Sequence, residues 1–337
     1  MSPPILVDTR ECVLVTGANG FAGRSVCRLL LKRGWRVRAV VRGPVQADAL
    51  RNGINAQADL EIVQVRDIGP DTHWEKLFDG CKAVVHLAAR VHRMRDPAVD
   101  PLREFRRVNR DGTIKLAGDA VAAGVRRFLF ASTVKVHGED SGAGSFKESD
   151  PPKPADPYAI SKFEAEQALL AFAQAGQLDV TILRAPLMYG PDVKGNFLSL
   201  LRGVAKGLPL PLGAVANRRS LLYVENFADA IATALAQPRA AGRVFLVSDG
   251  EDLSTPEIVR RMARALGRTA RLLAVPRRLL LLAGACCGRR AAVERLVGNL
   301  AVDITSIRTD LGWQPPFSVE AGLLATARWY REPPVGL

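Results

Sequence analysis

Tyr158-Ala-Ile-Ser-Lys162 sets a phenol and an ammonium four residues apart, and residues at that spacing share one helix face. A tyrosine with an ordinary pKa of about 10 is a poor base at neutral pH. A cation beside it favours the phenolate and brings proton transfer into the working range. The preceding stretch, Pro151-Pro-Lys-Pro-Ala-Asp-Pro157, is rich in proline and fixes how the helix begins. Upstream, Phe128-Leu-Phe-Ala-Ser132-Thr133-Val-Lys-Val-His-Gly138 reads as a strand ending in hydroxyls. Thr133 can donate to an oxygen that gains or loses a proton while Ser132 orients the neighbourhood, or both hydroxyls serve the turn at the strand end. Tyr-x-x-x-Lys alone is a common chance match, so the rest of the chain has to decide.

The first loop supplies a context. Val13-Leu-Val-Thr-Gly17-Ala-Asn19-Gly20-Phe21-Ala22-Gly23-Arg24 forms a G-x-x-G-x-x-G pattern between a strand and a helix. Glycines there let the backbone turn tightly and approach a pyrophosphate, and the helix beyond offers N–H donors at its positive dipole end. The expectation is a dinucleotide site, with Asn19, Phe21 and Ala22 completing the loop. At the end of the second strand an acid bonds a ribose 2′-hydroxyl, whereas an arginine takes a 2′-phosphate. The chain reads Val37-Arg-Ala-Val-Val41-Arg42-Gly43, with no acid before Asp48. Arg42, with Arg24 as a second cation, therefore points to NADP over NAD; a solvated surface arginine is the plain alternative. After the third strand, Asp67 beside Ile68 either accepts from an adenine amino group or caps the strand end. In His86-Leu87-Ala88-Ala89, small side chains let a dinucleotide lie close. Asn109 either bonds main chain in the site or caps its helix. An oxidised nicotinamide ring near Tyr158 favours the phenolate in the same sense as Lys162.

These residues need a scaffold. Short β-branched runs at 12–16, 36–41, 61–66, 83–87, 127–131, 180–184 and 244–247 alternate with amphipathic stretches such as 24–33, 108–123 and 161–174. Each parallel crossover needs a helix to return the chain. The alternation therefore predicts an α/β fold, a Rossmann-type doubly wound parallel sheet of about seven strands. Beyond 185 the pattern loosens, proline and glycine cluster at 186–191 and 203–213, and short helices follow. That reads as a smaller, mixed C-terminal substrate lobe. The expected division is 1–185 with 223–250 for the dinucleotide-binding domain, and 186–222 with 251–337 for the lobe.

Composition narrows the function classes. The 337 residues are 48% hydrophobic, which allows a sizeable core. A formal net charge of +13 raises the question of nucleic acid, but the basic residues are scattered and aromatics are only 6%. Few stacking platforms remain for bases, so no nucleic-acid partner is expected. An arginine-rich background and a diphosphate-bearing substrate account for the charge. Five cysteines, an odd and sparse count, fit a reduced cytoplasmic protein better than a disulfide scaffold, and no Cys/His spacing suggests a metal. Met-Ser-Pro-Pro at the start lacks the layout of a signal peptide. The longest apolar run, nine residues at 279–287, is far short of the ~20 that span a bilayer. The basic segment 276–297 around it reads as a core helix of the lobe or as a weak peripheral membrane contact.

Gly17/Gly20/Gly23, 86–89, Asn109, Ser132/Thr133, Tyr158/Lys162 and 184–191 stand in the order and spacing of the extended short-chain dehydrogenase/reductases. Over 11–325 the chain resembles that superfamily, in its NAD-dependent epimerase/dehydratase branch. The resemblance implies that Thr133, Tyr158 and Lys162 are catalytic. It also implies that Ala185 and Pro186 line the cofactor, and that a nucleotide sugar touches Ser132, Thr133 and Tyr158. Asn196, after Tyr189-Gly-Pro191, and Arg219, in Arg218-Arg219-Ser220-Leu-Leu-Tyr-Val-Glu-Asn226, look like the diphosphate contacts of UDP-sugar epimerases, with Arg295 as a further phosphate ligand. Ser220 and Asn226 stand where that segment carries aspartates, a departure from an unmodified epimerase. Asp303 and Leu311-Gly-Trp-Gln-Pro315 resemble the family's C-terminal segment.

The acidic pair that follows the catalytic hydroxyl in the 4,6-dehydratases is Val134-Lys135 here, so water elimination is not expected. Segments 86–92, 132–139 and 210–219 look most like the C4-ketoreductase branch. That branch acts on UDP-4-keto-6-deoxy-N-acetylhexosamines and makes precursors of bacterial surface polysaccharide, lipopolysaccharide included. A reductase drawing on NADPH agrees with Arg42; the alternative is a UDP-hexose 4-epimerase, which regenerates its own cofactor and usually keeps NAD. A homodimer paired through helices 108–123 and 158–174 would resemble the family's usual assembly.

Overall fold

The computed structural model describes residues 11–54, 59–91, 99–288 and 290–332. The strands are β1 (Cys12–Thr16), β2 (Arg36–Val41), β3 (Leu60–Gln64), β4 (Cys81–His86), β5 (Arg127–Thr133), β6 (Asp179–Ala185), β7 (Leu187–Tyr189), β8 (Arg219–Tyr223), β9 (Arg243–Leu246) and β10 (Asp252–Leu253). Seven form one sheet in the order β3-β2-β1-β4-β5-β6-β9, every neighbouring pair parallel. All five residues of β1 are buried, as a central strand covered on both faces requires.

Helices α1 (Phe21–Lys32), α2 (Pro44–Gly53), α3 (Pro101–Phe105), α4 (Gly112–Ala122), α5 (Pro157–Gln174) and α6 (Gly195–Ala205) follow the first strands. Then come α7 (Val224–Ala236), α8 (Thr255–Ala265), α9 (Arg277–Cys286), α10 (Arg290–Val297), α11 (Thr305–Leu311) and α12 (Val319–Arg331). Val26 and Leu30 of α1 join Phe227 and Ile231 of α7 in one core. Leu116 and Ala120 of α4 join Ala165 and Leu169 of α5 in another. The strand order reverses between β1 and β4, where doubly wound sheets bind ligands at their carboxyl ends.

A second sheet, β10-β8-β7, pairs β8 parallel to β7 and antiparallel to β10. Tyr189, Phe197, Tyr223, Met262 and Leu323 pack a separate core beneath it. The chain then returns: Val302, Ile307, Leu311 and Trp313 pack into the core shared by α1 and α7.

Three local departures from the sequence expectation bear on the site. β5 extends past 131 to Thr133, so both hydroxyl residues lie on the strand itself. α5 begins at Pro157, because Asp156 Oδ1 accepts from Ala159 N at 2.7 Å and proline takes the first helical position. The helix expected over 108–123 is a π-turn at 106–111 followed by α4, and that wider turn carries the buried Asn109.

Candidate active site

The glycine loop is shaped by what it must admit and by what presses on it. Gly17 has φ +68°, and a Cβ there would lie 2.8 Å from Ala88 N; one at Gly23 would lie 2.1 Å from Gly17 O. Only glycine fits either position. Leu87 N donates to Thr16 O and Ala88 N to Thr16 Oγ1, each at 3.3 Å, which holds the 87–89 loop against the glycines. Gly20 begins α1 without a side-chain cap, so the first N–H groups of the helix are left for a ligand. Phe21 and Ala22 are half-buried, and Asn19 O accepts from Arg24 Nε.

The cations beyond β2 separate. Arg42 is exposed at the strand end, and no carboxylate among the described residues pairs with it. Arg24 instead reaches Asp192 at 3.1 Å. Asp48 turns to Arg51, away from the strand end. Asp67 is exposed but bonded to Arg107 at 2.9 Å, a partner the sequence reading does not contain, and Ile68 beside it is buried.

At the next strand ends, Thr133 of β5 is in register with Ala185 of β6, and buried Pro186 follows. Thr133 Oγ1 accepts from Lys135 N at 3.3 Å, which leaves its proton free to donate. Ser132 Oγ is buried and has no hydrogen-bond partner among the described residues. Tyr158 lies edge-on to Phe105 at the start of α5. One turn on, Lys162 is 2% exposed. Burial, helped by the negative charge of Asp156, pushes the Tyr158 phenol up to about 12. Burial pulls Lys162 down to about 7 against the opposing pull of Glu166. The phenol therefore stands protonated at neutral pH, and the expected drift toward phenolate beside Lys162 does not occur, because burial and the Asp156 charge outweigh any help from that cation. The glycine cradle, the uncapped helix and the unpartnered hydroxyl all fit a dinucleotide with a polar substrate beside it.

Residues 13–248 match the NAD dependent epimerase/dehydratase family. The chain belongs to that family. It is 42% identical over 321 residues to a UDP-glucose 4-epimerase of Vibrio cholerae, covering 94% of this chain and 95% of the other. A dTDP-glucose 4,6-dehydratase of Streptomyces griseus is 32% identical, with 95% and 94% covered. The solved dTDP-glucose 4,6-dehydratase of Streptomyces venezuelae, with NAD bound, superposes at a TM-score of 0.76 and 29% identity over 96% of this chain and 98% of that one. This is an epimerase/dehydratase-type enzyme of nucleotide sugars. No described helix is long and apolar enough to cross a membrane.

Sequence reasoning missed the network behind the site of this epimerase/dehydratase. Asn109 Oδ1 accepts from Arg90 N at 2.8 Å, while its Nδ2 donates to Arg90 O and to Ser161 Oγ, each at 3.0 Å. It thus brackets the loop after Ala89 to α5, the main-chain role rather than the cap. His86 bonds Thr16 Oγ1 at 2.6 Å and Thr113 Oγ1 at 3.0 Å, and burial beside the Lys162 cation drives it down to about 3, so it is neutral. Glu166, a turn beyond Lys162, is wholly buried and pairs with Arg184 at 2.6 Å. Its i+4 spacing from Lys162 is the one sequence signal that could have found it.

In the second lobe the Arg219 guanidinium donates to Arg295 O at 2.6 Å and to Gly298 O at 3.1 Å, so these two candidates meet. Arg295 Nε is buried and has no hydrogen-bond partner among the described residues. Asn196 is exposed near the start of α6. The two family departures turn inward. Ser220 Oγ donates to Asp252 and accepts from Val302 N, and Asn226 ties Asp249 to both main-chain groups of Phe317. Asp303 caps Thr305, and Trp313 Nε1 donates to Asp229.

Proposed function

We propose that this enzyme reduces the C4 carbonyl of a UDP-4-keto-6-deoxy-N-acetylhexosamine with NADPH, in the cytoplasm, for bacterial surface polysaccharide. The observation that carries the reading is Arg42, exposed at the end of β2 with no carboxylate partner among the described residues, the chemistry a 2′-phosphate asks for. Elimination is disfavoured by what fills the dehydratase acid positions. Val134 is buried, and Lys135 is held by Glu139 at 2.8 Å and Asp156 at 2.7 Å.

When bound, NADPH supplies the hydride. Gly17, Asn19, Gly20, Phe21, Ala22 and Gly23 cradle the pyrophosphate, Arg42 takes the 2′-phosphate, and Asp67 with Ile68 meets the adenine. Leu87, Ala88, Ala89, Ala185 and Pro186 line the remaining path, with Asn109 holding the main chain beside it. Lys162 holds the ribose. Tyr158 gives its proton to the C4 oxygen, and Thr133 donates to the same oxygen. Ser132, Asn196, Arg219 and Arg295 contact the sugar nucleotide. In this reading 1–185 with 223–250 serves the dinucleotide and 186–222 with 251–337 the sugar, and the enzyme works as a homodimer paired through 108–123 and 158–174.

The 42% identity to a UDP-glucose 4-epimerase favours a second reading, an NAD-dependent 4-epimerase of UDP-hexoses. Incubating the protein with a panel of UDP-4-keto sugars and UDP-hexoses, with product NMR and NADPH absorbance read together, separates the two. The reductase consumes NADPH with each ketone reduced. Interconversion of UDP-glucose and UDP-galactose at a comparable rate, without net absorbance change, replaces the first reading by the second.

A further inference from the structure

The segment from α8 to α10 carries a charge pattern that the enzyme chemistry does not use. Residues 258–293 contain nine arginines and no aspartate or glutamate. Five of them, Arg264, Arg268, Arg271, Arg277 and Arg278, are exposed, and no carboxylate among the described residues pairs with them. Arg277 and Arg278 open α9, where the positive end of the helix dipole disfavours cations, so helix stability gives no reason for them.

Exposed leucines accompany these cations. Leu279 is 55% and Leu282 61% exposed on α9, and Leu273 is 52% exposed just before it. Leu208, 49% exposed, stands two residues before Leu210, which pairs with 271–273 through main-chain bonds of 2.8 Å at both ends. The other side of α9 is committed: Leu280 is buried, and a Cβ on Gly284 would lie 2.7 Å from Val293 of α10. Leucines projecting between unpaired arginines match an interface where acyl chains lie under anionic headgroups. An acidic protein or a nucleic acid would satisfy the arginines but leave the leucines in water.

We propose that α9 and the segment before it dock this enzyme peripherally on an anionic phospholipid surface. α10, which backs α9, carries Arg295, whose carbonyl holds Arg219, so docking sets the sugar-binding lobe at the bilayer. The proposal is independent of the catalytic reading.

Co-sedimentation with vesicles of phosphatidylglycerol and phosphatidylcholine, and with phosphatidylcholine alone, tests it at low and high salt. The wild type should pellet with the anionic vesicles only, and less as salt rises. Replacing Arg277 and Arg278 by Gln should cut the partition about twenty-fivefold, from roughly fivefold per arginine near an anionic surface. Leu279→Ser with Leu282→Ser should cut it at least tenfold, by loss of roughly two buried side chains. Both variants should keep the wild-type melting temperature and UDP-sugar turnover, which separates this claim from the catalytic one. Wild type remaining in the supernatant overturns the proposal. So does loss of binding in the arginine variant with none in the leucine variant, which marks a general polyanion site. The arginine pair is exposed, so that arm stands even where the leucine variant unfolds.

Discussion

Lys162 Nζ lies 3.8 Å from the centroid of the Phe130 ring, and that ring stacks on His86 at 5.8 Å. Burial strips the ammonium of water, and neither the π face nor the opposing pull of Glu166 makes up the loss, so its pKa falls to about 7 from the ordinary 10.5. Between those values the unfolded chain binds more protons than the folded one. The cost to stability is therefore complete below about pH 7 and is relieved as pH rises. Lys162→Met should raise the melting temperature of the cofactor-free protein most at about pH 6.5, with the advantage shrinking toward about pH 10. Circular dichroism melts across that range check it; an advantage that grows with pH contradicts the account.

The Glu166–Arg184 pair makes the opposite case. Its side chains are 0% and 6% exposed, and the third member, His137, accepts from Arg184 as a neutral ring, its pKa drawn down to about 4 by burial and by Arg184. Glu166→Gln keeps the shape but leaves the guanidinium uncompensated. Losing one member of such a buried pair costs about 3–5 kcal/mol. Urea unfolding of the variant should show that loss, and a change under about 1 kcal/mol would mean water reaches the pair.

Gly23 is tested by its missing carbon. In Gly23→Ala the methyl would sit 2.1 Å from Gly17 O, so the loop carbonyl has to move. Overpacking of that kind costs roughly 1–3 kcal/mol, and here the shift falls on the pyrophosphate cradle. NADPH affinity, followed by fluorescence titration, should fall at least about tenfold. Unchanged binding would place the dinucleotide elsewhere.

Arg42→Asp removes a charge-assisted contact and adds repulsion at the end of β2. The loss for NADPH should be about ten- to a hundredfold, with NADH little affected. A wild type that prefers NADH, or a variant with unaltered preference, sinks the assignment of Arg42.

The sheet is legible because its strands are short β-branched runs separated by helical spacings, and Tyr158, Lys162 and the three glycines stand out only when their intervals are read together with that strand and helix order. What escapes the sequence is set by contacts distant along the chain. Arg24 meets Asp192, and Asp67 meets Arg107, through partners no local pattern indicates. The π-turn at Asn109 is equally hidden, since one inserted residue barely disturbs helical periodicity. Ser220 and Asn226 read in sequence only as departures from the epimerase segment, and in the structure they tie β8 to Asp252 and α7 to the 317 loop.

Tyr158→Phe puts the central claim to its most direct test. The substitution keeps the ring against Phe105 and the cofactor surfaces, and deletes the proton that burial holds on the phenol. General acid catalysis of this kind contributes roughly 10²–10⁴-fold. NADPH oxidation with the best UDP-4-keto sugar should lose that factor in kcat while NADPH affinity stays within about twofold of wild type. Lys162→Met should lose both rate and affinity, and Thr133→Ala should lose less rate than Tyr158→Phe. A Tyr158→Phe enzyme that keeps most of its kcat would contradict the account.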